Sequence, residues 1–165
     1  MADVRLRRGI ASRDLDALLA WANSGGEDFL RQFAGPRWRY PLTAEQVEAE
    51  ADSIFSIHVD GGFAGIIQRL FERDGRAHIG RFLLDPARTG AGIGGIALTL
   101  FCRKLFEDEG IEAVTLRVYR FNARAARCYR KRGFAFDSPD DGGDPWDSLS
   151  MTLRRDDLPR EGETV

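Results

Sequence analysis

Apolar and polar residues alternate with a period of two from Val4 to Arg8, VRLRR, which predicts a strand. The period then lengthens: Leu15, Leu18, Leu19 and Ala22 fall on one helical face, and Ser12 stands where an N-cap is expected. From Asn23 to Leu42 the periodicity breaks. Gly25-Gly26, Phe29, Phe33, Gly35-Pro36, Trp38, Tyr40 and Pro41 predict an irregular aromatic segment with room for one short helix. Thr43-Ala-Glu-Gln46 has the form of a capping box and predicts a helix to about Asp52. Alternation returns with Phe55, Ile57 and Val59, continues from Phe63 to Phe71 and again from His78 to Leu84, and Asp60-Gly61 and Asp74-Gly75 supply the turns. A glycine-rich turn follows, after which Ile93, Ala97, Phe101 and Leu105 recur every fourth residue as the stripe of a long helix. Val114, Leu116 and Val118 predict a strand, and Asn122 caps a helix that ends at Gly133. Phe134 to Phe136 and Leu149 to Leu153 read as two last strands around a loop rich in Asp and Gly.

Composition narrows this order of elements. At 165 residues, 43% of them hydrophobic, the chain suits one domain, which we place at residues 1–154, with 155–165 as a flexible tail. Lys and Arg total 24 against 26 Asp and Glu, for a formal charge of −2, so no nucleic-acid partner is expected. No apolar run approaches the ~18 residues of a membrane span, and MADVRLRR lacks the apolar region of a secretory signal. The expectation is a soluble cytoplasmic protein without a membrane partner. Cys102 and Cys128 have neither CxxC spacing nor a companion His cluster, so they read as reduced packing residues and no metal is expected.

Two stretches carry candidate chemistry. Gly90-Ala-Gly-Ile-Gly-Gly95 fits G-x-G-x-x-G, the pattern of a dinucleotide loop. Its context does not fit: the next strand ends Val118-Tyr119-Arg120-Phe121 with no acid to hold a ribose, and more than eighty residues precede the loop. What survives is a strand, a glycine turn and a helix N-terminus, whose backbone amides suit a phosphate or pyrophosphate. In the second stretch Asn122 and Tyr129 are seven apart, two helical turns, and project from one face with Ala125 and Ala126 between them. Polar ends and small residues between them leave room for a narrow ligand.

These stretches together resemble the GCN5-related N-acetyltransferase (GNAT) superfamily. Leu84-Asp-Pro-Ala-Arg-Thr-Gly-Ala-Gly-Ile-Gly-Gly95 resembles its acetyl-CoA loop, Q/R-x-x-G-x-G/A, and Asn122-Ala-Arg-Ala-Ala-Arg-Cys-Tyr-Arg-Lys-Arg-Gly-Phe134 resembles its N-x-x-A-x-x-x-Y-x-x-x-G-F segment. One departure stands out: Thr89 occupies the position where Gln or Arg is usual, and Arg88 comes one residue early. The resemblance implies an α/β (α+β) fold with a central mixed, mostly antiparallel sheet of six to seven strands and about four helices. It implies acetyl-CoA as cosubstrate, bound by the backbone of Phe82, Leu83 and Leu84 along the pantetheine arm, by Gly90, Ala91, Gly92, Ile93, Gly94 and Gly95 at the pyrophosphate, and by Asn122 near the thioester. Tyr129 is implied as the general acid.

The expected activity is transfer of acetyl to a primary amine of a small molecule or peptide by direct attack in a ternary complex. The base is open. A Glu five residues before the motif Asn serves some members, but Arg117 stands there, leaving His78, Glu72, His58 or water. Residues 27 to 40 and Asp137 to Asp147, with five aspartates and Trp146, are expected to build the acceptor pocket. A non-catalytic acetyl-CoA or CoA sensing module is the alternative, hydride transfer a distant third, and a homodimer is possible.

Overall fold

The computed structural model describes residues 2–160. Its elements are β1 (Val4–Arg8), α1 (Ser12–Ser24), α2 (Gly26–Ala34), α3 (Ala44–Glu48), β2 (Ile54–Val59), β3 (Gly62–Arg73), β4 (Arg76–Leu84), α4 (Ile93–Leu105), β5 (Ala113–Tyr119), α5 (Ala123–Lys131), β6 (Ala135–Phe136) and β7 (Ser148–Arg154). The seven strands follow the order β1-β2-β3-β4-β5-β7-β6. β4 and β5 pair in parallel, while β1 with β2, β2 with β3, β5 with β7 and β6 with β7 are antiparallel, so the sheet is mixed and mostly antiparallel as expected. By internal contacts the chain divides into two compact units, Met1–Arg69 with Gly80–Ile93 and Leu70–Ile79 with Gly94–Val165.

In the first unit the apolar stripe of α1 does what its period requires. Leu15, Leu18 and Ala22 bury themselves with Leu30 of α2, Val47 of α3, Ile54, Ile66 and Leu83. Ser12 is the first helical residue rather than the cap. Ala11 holds the extended cap conformation with no side-chain bond, because the chain enters the helix one residue early. Thr43 is a true cap: its hydroxyl accepts from Gln46 N, and the Gln46 amide turns back to Thr43 Oγ1 and to the carbonyls of Arg39 and Pro41. That helix stops at Glu48, and Ala51–Ser53 form one 3₁₀ turn before β2. The hairpin turns have left-handed residues, Asp60 and Gly61 at φ 50° and 85°, and Asp74 and Gly75 at 52° and 76°. Paired positive φ values match the twist of the flanking strands.

A buried ion pair organises this unit. Arg81 on β4 is 2% exposed, and its Nη1 donates to Glu50 Oε2 and Gln68 Oε1, each at 2.8 Å. Its Nε donates to Ala34 O at 3.2 Å, and the guanidinium lies 4.1 Å from the Trp38 ring centre. Trp38 Nε1 donates to the same Glu50 oxygen at 2.6 Å. Burial pushes Glu50 up, but the Arg81 bond and charge, with bonds from Trp38 and Gln68, outweigh it and hold the carboxyl below its ordinary value of 4.5.

In the second unit β5 buries Val114, Leu116 and Val118, β7 buries Met151 and Leu153, and α4 buries Ala97, Leu98, Phe101 and Cys102. The segment after β7 is tied down at its start: Arg155 donates to the carbonyls of Phe106, Asp108 and Ile111, and Arg103 holds Pro159 O. These bonds satisfy carbonyls of the loop that follows α4 and tie the chain after β7 to it, which is why the expected fraying does not begin at residue 155. Residues 161–165 of the expected tail lie outside the described residues.

Replacing Arg81 with Met should cost about 3 kcal/mol in urea unfolding, the low end for a broken buried pair because Glu50 still reaches water. A carboxyl lowered in the folded state contributes stability above its unfolded value and loses it on acidification. The gap between wild type and Arg81→Met should therefore be full above pH 4.5 and narrow as pH falls below it.

Candidate active site

After β4 the chain makes one 3₁₀ turn, Pro86–Arg88, capped by Asp85, whose Oδ1 accepts from Ala87 N at 2.9 Å. Thr89 turns its hydroxyl onto Pro86 O at 3.0 Å, and Arg88 Nε lies 3.8 Å from Asp85 Oδ2. Both side chains at the departure from the motif are thus engaged within the loop. Gly90 and Gly92 follow at φ 89° and 79°, the left-handed region where side chains are strained. The amides of Ile93, Gly94 and Gly95 open α4, have no acceptor inside the helix, and sit at its positive end.

Gly95 is a glycine for a different reason. A Cβ there would meet Arg132 Nη2 at 2.7 Å and Cζ at 2.9 Å. Arg132 follows α5 and is half-buried; its backbone N–H donates to Tyr129 O, while its guanidinium has no hydrogen bond or ion pair among the described residues. The sequence reading missed this cation, because only the fold brings it to the first turn of α4. Helix amides at the start of α4 and a guanidinium without a counter-ion among the described residues are donors of the kind a pyrophosphate takes.

Upstream, β3 and β4 approach closely. A Cβ at Gly65 would overlap the Leu83 carbonyl oxygen and come within 2.9 Å of Leu84 Cα. Leu83 is buried, whereas Phe82 and Leu84 are half-buried on the opposite face. The parallel ladder with β5 engages Arg76–His78, and the three expected pantetheine residues lie beyond it.

On α5, Asn122 is the cap: Oδ1 accepts from Ala125 N at 3.3 Å, leaving Nδ2 as the atom that can donate. Tyr129 is half-buried, 6.3 Å ring to ring from Phe134. Burial, with Cys128 alongside, pushes its phenol far above the ordinary value, so it keeps its proton throughout the neutral range.

The candidate bases separate in the structure. His78 is half-buried, its Nδ1 lies 2.8 Å from Thr115 Oγ1, and its ring stacks on Phe71 at 4.8 Å. Burial, and then the Arg117 charge, lower it below 6.5, so it is neutral at pH 7 and able to take a proton. His58 belongs to the first unit, where it is buried at 6.0 Å from the Phe63 ring with Nδ1 unpartnered. Glu72 lies exposed on β3.

Over residues 27–134 the chain matches the acetyltransferase (GNAT) family. It belongs to that family. Solved structures of low identity share its fold. Aminoglycoside acetyltransferase AAC(6')-Ib in complex with coenzyme A and kanamycin superposes with a TM-score of 0.67 at 23% identity, over 93% of this chain and 96% of that one. The Microcin C7 self-immunity acetyltransferase MccE, bound to acetyl-CoA and AMP, gives 0.73 at 15% identity, over 92% of each. A spermidine N-acetyltransferase SpeG chimera from Vibrio cholerae and hSSAT gives 0.68 at 14%, over 93% and 96%.

In this acetyltransferase the two expected acceptor segments are largely committed to their own folding. Trp38 is sunk against Arg81 instead of lining a wall, and Tyr40 donates to Asn23 O. In the acidic loop Arg120 donates to Asp140 at 2.9 Å, Asp147 at 3.2 Å and the Asp144 carbonyl at 2.9 Å. Asp144 accepts from Trp146 N, and Asp137 from the Thr152 hydroxyl. Arg120 thus engages two of the five aspartates, Asp140 and Asp147, in holding the loop together. No described helix is long and apolar enough to cross a membrane.

Both thiols are free, Cys102 buried and Cys128 half-buried. Burial raises both above the ordinary value of 9.0, and for Cys128 the nearby Arg132, Lys131 and Arg124 offset only part of this. A thiol-disulfide reagent at neutral pH should therefore label Cys128 slowly and Cys102 only on unfolding, the Cys128 rate rising with pH as the thiolate forms.

Proposed function

We propose that this acetyltransferase moves an acetyl group from acetyl-CoA to a primary amine of a small molecule or peptide, working as a cytoplasmic enzyme and without a covalent enzyme intermediate. The observation that carries this is the start of α4, where helix amides without an acceptor inside the helix meet the Arg132 guanidinium at Gly95. Similar folds bound to coenzyme A or acetyl-CoA, and named for aminoglycoside and spermidine acceptors, support the same class.

The cosubstrate supplies the acetyl group as a thioester, activated for attack by an amine. The residues divide its binding. The backbone of Phe82, Leu83 and Leu84 hydrogen-bonds the pantetheine arm as an added strand would. The amides from Gly90 through Ala91, Gly92, Ile93 and Gly94 to Gly95 hold the pyrophosphate, and Arg132 adds the side-chain cation that Thr89 cannot. Asn122 donates Nδ2 to a carbonyl of the arm.

Tyr129 protonates the departing sulfur. An ordinary phenol at about 10 is a weaker acid than a thiol at about 8.5, and burial weakens it further, so transfer to a solvated thiolate runs uphill. The proton moves as charge builds on sulfur, and the same burial raises the basicity of that sulfur. His78, neutral and oriented by Thr115, accepts the amine proton directly or through water. Residues 1–154 act as one catalytic domain in this reading. A proton-charged phenol at this position favours catalysis over the non-catalytic binding module.

Thiol release should be followed with a panel of amines, amino acids, polyamines and peptides. Tyr129→Phe should lower kcat by about 100-fold with little change in the KM for acetyl-CoA, the signature of a group acting in the transition state. Arg132→Ala should do the reverse, raising that KM by about 10-fold with kcat nearly intact. Acetyl-CoA that raises the melting temperature while no acceptor is consumed would establish the binding module instead.

A further inference from the structure

One face of the second unit's strands carries a cation with no counter-charge among the described residues. The register places Thr115 opposite Thr152, Arg117 opposite Ser150 and Tyr119 opposite Ser148, with His78 opposite Thr115. Paired residues share a face, so these side chains lie opposite the buried Val114, Leu116 and Val118. Arg117 is exposed, and all its bonds go to neutral atoms: Nε to Ser148 Oγ at 2.8 Å, Nη1 to Ser150 Oγ at 3.1 Å and Nη2 to Ser148 O at 3.4 Å. Three of its five N–H groups are used and the charge is left whole.

The neighbours sharpen the contrast. Arg120, three residues on, is neutralised by Asp140 and Asp147. Asp137 is the acid that reaches this face, and it accepts from Thr152 at 2.7 Å. His78 is neutral and adds no charge of its own. Two residues from Arg117 along the same strand face, Tyr119 joins Phe121 and Trp146 in an aromatic trio, with ring centres 4.8 to 5.7 Å apart. Because the serines hold Arg117 in place, much of the rotamer freedom an arginine gives up on gripping an anion is already gone.

Building on the acetyltransferase reading, we propose that Arg117 binds a carboxylate of the acceptor, so that the amine acetylated is one carried on an acid, as in an amino acid or small peptide. A polyamine would meet repulsion at the same place. The two remaining N–H groups are the donors, and the aromatic trio receives the apolar body of the acceptor.

The test compares L-phenylalanine, its primary amide and phenethylamine as acceptors, in wild type, Arg117→Gln and Arg117→Lys. The ratio of kcat/KM for the acid over the amide should fall by about 10- to 100-fold in Arg117→Gln, the range for a lost charge-assisted bond, and recover in part in Arg117→Lys. Binding of N-acetylphenylalanine and N-acetylleucine, followed by NMR titration in the presence of CoA, should weaken by a similar factor. An unchanged ratio in Arg117→Gln, or no Arg117-dependent binding of either acid, overturns the proposal. The titration needs no turnover, so an inactive enzyme that still binds these acids through Arg117 would defeat the transferase reading and leave the carboxylate site standing.

Discussion

A guanidinium with 2% of its surface open to water has to be neutralised where it lies, and in the first unit that requirement falls on residues far apart in the chain. Arg81 draws Glu50, Gln68, the Ala34 carbonyl and the face of Trp38 to itself. The irregular stretch between α2 and α3 has no repeating hydrogen-bond pattern to hold it, so these contacts do. They also hold β4 at Arg81, two residues before Leu83, on the strand that leads into the glycine loop.

Arginine is handled in three ways, and the difference bears on function. Arg81 is buried and paired, Arg120 is paired at an exposed loop, and the Arg117 and Arg132 side chains have no carboxylate partner among the described residues. Pairing makes an arginine part of the scaffold. An arginine oriented but uncompensated keeps its long-range attraction for an anion. Arg132 sits at the positive end of α4, where a lone cation would be repelled unless an anion joined it. The glycine loop is read the same way: Gly90 and Gly92 serve backbone conformation, whereas Gly95 serves space for that guanidinium.

The proposed acid and base illustrate how burial assigns roles. It raises the Tyr129 phenol, so the residue is a proton donor at any working pH, and it lowers His78, so the imidazole is a proton acceptor near neutrality. Both thiols are pushed away from reactivity by the same physics, which agrees with direct transfer.

The sequence by itself determined whatever depends on neighbouring residues. Alternation marked the strands, Asp-Gly pairs marked the left-handed turns at 60–61 and 74–75, and the spacing from Asn122 to Tyr129 and Phe134 carried the family. Helix ends were less faithful: the helix takes in Ser12, the better cap by type, and leaves Ala11 at the cap position. Only the tertiary structure decided where charges find partners. Trp38 looked like a pocket wall until Arg81, 43 positions on, took it into the interior, and the aspartates of 137–147 looked like a cation site until Arg120 claimed two of them. Arg132 and Arg117 were two more basic residues among 24 until the fold set one against Gly95 and the other between two serines. Backbone conformation is chosen over a few bonds, but an ion pair needs two groups within a few ångströms, and in a folded chain that distance has no relation to their separation in sequence.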